Sequence, residues 1–108
     1  MIDWQRVTEL REEVGEDAFS EIVAMFLEEV EEVLDRLSEA PDPGRLEQDL
    51  HFLKGSSLNL GFRGMSELCA SGEARAASGG ADGVDVEPIR QSYVEARSQL
   101  LERYPAGS

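Results

Sequence analysis

The sequence predicts an all-α fold, an antiparallel up-and-down four-helix bundle with a short extra N-terminal helix. Three observations point to it. Apolar residues recur at three- and four-residue intervals through five segments, and glycine or proline punctuates the joints between them. No stretch has the two-residue alternation or the β-branched density of a strand. A chain of 108 residues has room for one domain, and it contains no internal repeat.

The first helix opens at Ile2-Asp3-Trp4, with Asp3 as candidate N-cap. It places Trp4, Val7, Leu10 and Val14 at helical spacing and ends at Gly15. Asp17 is the candidate cap of a long second helix, whose apolar stripe runs Phe19, Ile22, Val23, Phe26, Leu27, Val30, Val33, Leu34 and Leu37. Its acids Glu21, Glu28, Glu29, Glu31, Glu32 and Asp35 fall mostly off that stripe and read as a solvated face. Ala40-Pro41-Asp42-Pro43-Gly44 is a turn by its two prolines and glycine. The third helix begins at about Gly44 or Arg45 and stops at Leu60, before the C-terminal glycine Gly61.

Phe62 and Arg63 form the next corner, and a fourth helix carries Met65, Leu68, Cys69, Gly72 and Ala76 on its apolar face. Gly72 and the alanines around it predict close helix packing. Ser78-Gly79-Gly80-Ala81-Asp82-Gly83 reads as a flexible connector. It lacks the lysine and preceding strand that a phosphate-cradling loop requires. The last helix starts around Asp85 and Pro88 and presents Val86, Ile89, Tyr93, Ala96, the stem of Arg97, Leu100 and Tyr104. The domain is expected to span residues 1–104, with 105–108 a frayed, disordered tail.

A formal charge of -13 argues against nucleic acid or a membrane surface as partner, because both repel such a chain. No apolar run reaches the roughly 18 residues of a membrane span, and the N-terminus lacks the pattern of a signal peptide. A cytoplasmic protein is expected. The single cysteine, Cys69, lies on an apolar stripe and reads as a buried thiol with neither a disulfide partner nor a zinc-ligand set. The charge is uneven: residues 1–50 hold 16 acidic and 4 basic side chains, whereas residues 51–108 hold 7 and 6. From Leu50 to Ser66 there is no acid at all, and Lys54 and Arg63 make this the one locally positive stretch.

That stretch contains the only histidine and the only lysine of the chain. At about 100° per residue, Leu46, Leu50, Leu53, Ser57 and Leu60 share a narrow arc and form the buried seam. His51 stands roughly 140° from the middle of that arc and so faces solvent. Gly55 lies one turn further along the same face and Leu58 a turn beyond, while Lys54 lies on the flank nearer the core. A glycine in a helix interior costs about 1 kcal/mol relative to alanine. Here it points away from the seam and leaves the histidine open to a bulky visitor, so His51, Gly55 and Leu58 together form a candidate docking surface. A doubly charged phosphoryl group is least disfavoured in such an acid-free neighbourhood beside a lysine.

The run His51-Phe52-Leu53-Lys54-Gly55-Ser56-Ser57-Leu58-Asn59-Leu60-Gly61 closely resembles the phosphorylation-site helix of histidine-containing phosphotransfer (HPt) domains, the intermediates of multistep two-component phosphorelays. The resemblance extends more loosely over nearly the whole chain. It implies that His51 accepts a phosphoryl group from the aspartyl phosphate of one response-regulator receiver domain and passes it to the aspartate of another. Lys54 would then pair with the phosphoryl oxygens, and Gly55 would let the receiver approach. Ser57, on the seam, is assigned to tight helix packing with a backbone hydrogen bond. Glu73 falls where the family often has a polar residue that hydrogen-bonds the histidine, although relatives carry glutamine there.

The resemblance further implies receiver domains and a hybrid histidine kinase as partners and a monomeric carrier. It implies no cofactor and no metal of its own, the divalent metal belonging to the receiver. The chain has no ATP motif of a kinase. Two other readings compete. A helical adaptor that docks on receiver or histidine kinase domains without carrying phosphate would make His51 dispensable. An enzyme using His51 as general base would need a pocket and an orienting group, for which Glu73 is the lone candidate.

Overall fold

The computed structural model describes residues 1–39 and 42–105, the side chain of Asp82 aside. Ala40 and Pro41, the first half of the expected turn, lie outside the described residues, as do residues 106–108 of the expected tail. The described residues form five α-helices and no strand: α1 (Trp4–Val14), α2 (Glu16–Glu39), α3 (Leu46–Leu60), α4 (Arg63–Ala77) and α5 (Glu87–Arg103). A 3-10 turn, Ala81–Gly83, lies between the last two.

Local chemistry sets most of the boundaries. Asp3 caps α1 by accepting from the Arg6 amide at 3.2 Å. Gly15, at φ 86°, reverses the chain within one residue, and its carbonyl already accepts from the Phe19 amide at 3.0 Å. Helix α2 therefore begins at Glu16, and Asp17 lies inside the first turn instead of capping it. Its acid there complements the positive end of the helix dipole. In the α2–α3 turn, the Asp42 carboxylate accepts from the Gly44 amide at 2.9 Å. Helix α5 starts at Glu87, whose amide donates to Asp85 at 3.0 Å.

Specific contacts show how the helices run past one another. Arg36 near the end of α2 meets Asp49 near the start of α3 at 2.6 Å. Early α3 meets late α4 through His51 and Glu73. Helix α5 returns along α2, with Arg90 on Asp35, Arg97 on Glu31 and Tyr104 edge-on to Phe19. Each of these pairs is antiparallel. At about 1.5 Å per residue α2 is roughly 36 Å long, most of the molecule's 43 Å long axis.

The core draws on every helix, from Val7 on α1 to Leu100 on α5. All five residues of the α3 seam are buried, with Leu50, Leu53 and Ser57 fully so. The Ser57 hydroxyl donates to the Leu53 carbonyl at 2.5 Å, which satisfies a polar group inside the seam. One expectation about the core needs correction, and two others gain detail. Leu68 is exposed, because α4 is covered on one side only and Met65 and Cys69 occupy that side. Phe62 is a core residue as well as a corner residue, packed against the Tyr93 ring at 6.2 Å. The glycine-rich connector contains a 3-10 turn against which Arg75 packs, close enough that a Cβ on Gly83 would lie 2.7 Å from its guanidinium.

Gly61 ends α3 with φ 79°, and its amide bonds back to the Leu58 and Ser57 carbonyls. Its own carbonyl accepts from the Asp3 amide at 2.7 Å, tying α1 to the end of α3. A Cβ at this position would lie 2.7 Å from the Asp3 carbonyl oxygen. Gly61→Ala should therefore destabilise the fold by the left-handed backbone cost of about 1–2 kcal/mol plus the displacement of α1. Urea unfolding reads this directly; an unchanged midpoint would contradict it.

Candidate functional site

Helix α3 carries His51, Lys54, Gly55 and Leu58 at three- and four-residue spacing, which aligns them along the outer face of the helix. The His51 side chain is 70% exposed, and Leu58 is among the most exposed large apolar residues. Gly55 is exposed as well, and a Cβ added there would meet nothing within 4 Å. The glycine that does serve packing is Gly72 on α4. A Cβ on it would lie 3.1 Å from the Leu50 side chain and 3.4 Å from Val84.

That close approach of α4 to α3 brings the next residue, Glu73, onto the histidine. One carboxylate oxygen lies 2.7 Å from Nδ1 of His51, and the other accepts from Nζ of Lys54 at 2.5 Å. The Glu73 carboxyl is held below the usual carboxylate range, first by the hydrogen bond from Lys54, with partial burial opposing and the bond to His51 assisting. It is therefore ionised at neutral pH and can only accept. The proton of the contact belongs to Nδ1, which leaves the Nε2 lone pair as the free end of the ring.

The acid-free run from Leu50 to Ser66 is thus a feature of the chain and not of the surface, because Glu73 enters it from α4. Lys54 is partly buried and already engaged, although an ammonium has three donors and Glu73 occupies one of them. Glu47 and Gln48, one turn before His51, line a shallow recess with His51 and Glu73. Sequence reading passed them over, and their only signal is helical spacing from the histidine. One turn below Glu73, Cys69 is completely buried. Burial pushes its thiol up to about 12, with the Glu73 charge adding and Lys54 opposing. It stays protonated and is no nucleophile. Among the described residues no group of three or more His, Cys, Asp or Glu side chains is arranged to hold a metal ion.

The arrangement presents an exposed imidazole on α3, with Glu73 against its Nδ1 side and its Nε2 side open. A neutral imidazole nitrogen is a nucleophile near neutral pH. Comparison with curated proteins and with solved structures finds no match. The family model described as Hpt domain matches residues 21–104, from early α2 to the end of α5, and takes in the histidine and its orienting glutamate. On that match the chain belongs to the Hpt domain family, the phosphotransfer carriers of phosphorelay signalling.

Proposed function

We propose that the chain is a phosphohistidine carrier in which Nε2 of His51 takes a phosphoryl group from the aspartyl phosphate of one response-regulator receiver domain and gives it to the aspartate of another. The observation that carries this reading is the His51–Glu73 contact: it fixes the proton on Nδ1 and leaves Nε2 bare on an exposed ring. Lys54, three residues on, has donors left for the phosphoryl oxygens. The carrier would have no ATP-dependent kinase activity and no cofactor or metal of its own, the divalent metal being the receiver's. A hybrid histidine kinase is the natural source of the first phosphorylated receiver.

The scaffold we infer is a monomeric up-and-down four-helix bundle of α2 to α5 with α1 laid across its end, supported by the antiparallel contacts of α2 with α3, α3 with α4 and α5 with α2. No helix among the described residues is long and apolar enough to cross a membrane, and we place the carrier in the cytoplasm. Incubation with a phosphorylated receiver, followed by assay for acid-labile, alkali-stable phosphate on the chain, tests the reading. Binding without label from any cognate receiver would assign the protein to the adaptor class.

Gly55 and Leu58 are assigned to receiver access and docking. Nothing inside the chain requires Gly55 to lack a side chain, so the requirement is placed in the partner. Gly55→Ala should stabilise the helix by about 0.5–1 kcal/mol. Gly55→Trp should keep the fold and slow transfer by at least about tenfold, a barrier increase of about 1.4 kcal/mol. Transfer at the normal rate in the tryptophan variant would remove Gly55 from the docking surface.

A further inference from the structure

The first turn of α3 puts another carboxylate beside the ring. Glu47 stands four residues before His51, and side chains at that spacing on a helix are neighbours, with Cβ atoms roughly 5–6 Å apart. Aromatic side chains on a helix lean back over the turn that precedes them. The imidazole accordingly shares a shallow recess with Glu47 and Gln48, which Glu73 borders from α4. Glu47 differs from the other acids nearby. Glu73 is paired with Lys54, and Asp49, on the buried side of α3, is paired with Arg36. Among the described residues the exposed Glu47 carboxylate has no hydrogen bond or ion pair.

We propose that Glu47 tunes the transfer equilibrium: its uncompensated charge repels the phosphoryl group on His51 and biases the chain toward passing that group on over storing it. The inference rests on the carrier reading and concerns its thermodynamics. In uptake the Nε2 lone pair forms the N–P bond, the P–O bond to the receiver aspartate breaks, and its electron pair leaves with the aspartate carboxylate. Donation to the second receiver runs the same bond changes in reverse. Glu47 takes no part in either bond. What changes around it is the charge, because a phosphoryl group brings close to two negative charges to within about one helical turn. Repulsion between a single and a double charge roughly 6 Å apart in water, screened at about 0.1 M salt, amounts to about two- to fivefold in an equilibrium constant.

The residues around the ring divide by sign. Lys54, on the turn after the histidine, attracts the phosphoryl group, whereas Glu47, on the turn before, repels it. Gln48 is neutral and adds nothing to the repulsion. A carboxylate in the first turn of α3 also complements the positive end of the helix dipole. That role acts whether or not His51 is phosphorylated, so it moves the melting temperature and leaves the phosphoryl equilibrium alone. Asp49 stays in the same turn and keeps its ion pair to α2 when the Glu47 charge is removed.

Glu47→Gln removes the charge while preserving shape, and Glu47→Asp keeps the charge. Wild type and both variants would be equilibrated at fixed pH with phosphoramidate and ammonium, so that the N–P bond to ammonia is exchanged for one to Nε2 with no docking protein present. The phosphorylated fraction is read by ³¹P NMR. At about 0.1 M salt the glutamine variant should have an equilibrium constant for phosphohistidine about two- to fivefold above wild type, and at about 1 M, where the Debye length is about 3 Å, the difference should shrink below about 1.5-fold. The aspartate variant should stay with wild type. Equal constants for wild type and the glutamine variant at the lower salt, a difference that persists at the higher, or an aspartate variant that follows glutamine would overturn this inference and leave the carrier reading standing. A wild-type chain that took no phosphate on His51 from phosphoramidate or from a phosphorylated receiver would overturn both.

Discussion

Replacing His51 by glutamine should abolish labelling by a phosphorylated receiver and leave the helical circular dichroism and melting temperature of the chain nearly unchanged. Both halves follow from the placement of the ring. The side chain is largely in solvent and touches Glu73, which keeps its bond to Lys54 when the imidazole is gone. Exposed pairs of this kind contribute about 0–1 kcal/mol. The chemistry has no such reserve. An amide nitrogen has no available lone pair, and the sequence has no second histidine to take over. Residual acid-labile phosphate in the variant would place the acceptor elsewhere, and a melted variant would show the ring to be a structural element.

Leu53→Asp, two residues further along the same helix, should have the opposite phenotype and unfold the domain. Leu53 is completely buried, on the seam that α3 turns toward the core. Losing a buried leucine side chain to alanine costs about 2–5 kcal/mol, and an isolated carboxylate in its place adds several more. The total is comparable with the whole stability of a domain this size, about 5–15 kcal/mol. Leu53→Ala provides the graded control. At about 4–8 °C per kcal/mol for a chain near 100 residues, its melting temperature should fall by roughly 8–40 °C. Thermal melts followed by circular dichroism read both variants, and a cooperative wild-type melt for Leu53→Asp would place the seam wrongly.

The contrast between these neighbours was readable in the sequence because it depends on one short-range quantity. Helical periodicity assigns each residue of a helix to a face without reference to the rest of the fold. The α3 seam is accordingly buried at every position, and His51, Gly55 and Leu58 are exposed. The ends of α1 and α3 were readable for the same reason, since Gly15 and Gly61 adopt backbone angles that only their own residue type favours. Periodicity misled at Leu68. Its spacing matches Met65 and Cys69, but which part of an apolar arc is covered depends on where the neighbouring helices lie. Phe62 escaped notice because a residue at a corner belongs to no stripe.

The site divides along the same line. His51, Lys54 and the opening at Gly55 lie within five residues of one helix, and the sequence by itself determined them. Glu73 is 22 residues away, and spacing alone does not state whether its carboxylate reaches the ring, the lysine or solvent. The tertiary structure decided that it reaches both the ring and the lysine. It did so through Gly72, whose missing side chain lets α4 settle against Leu50 and so brings the next residue to the imidazole. The tautomer of His51, and with it the nitrogen left free to react, follows from how closely two helices pack, a distance that no local pattern encodes.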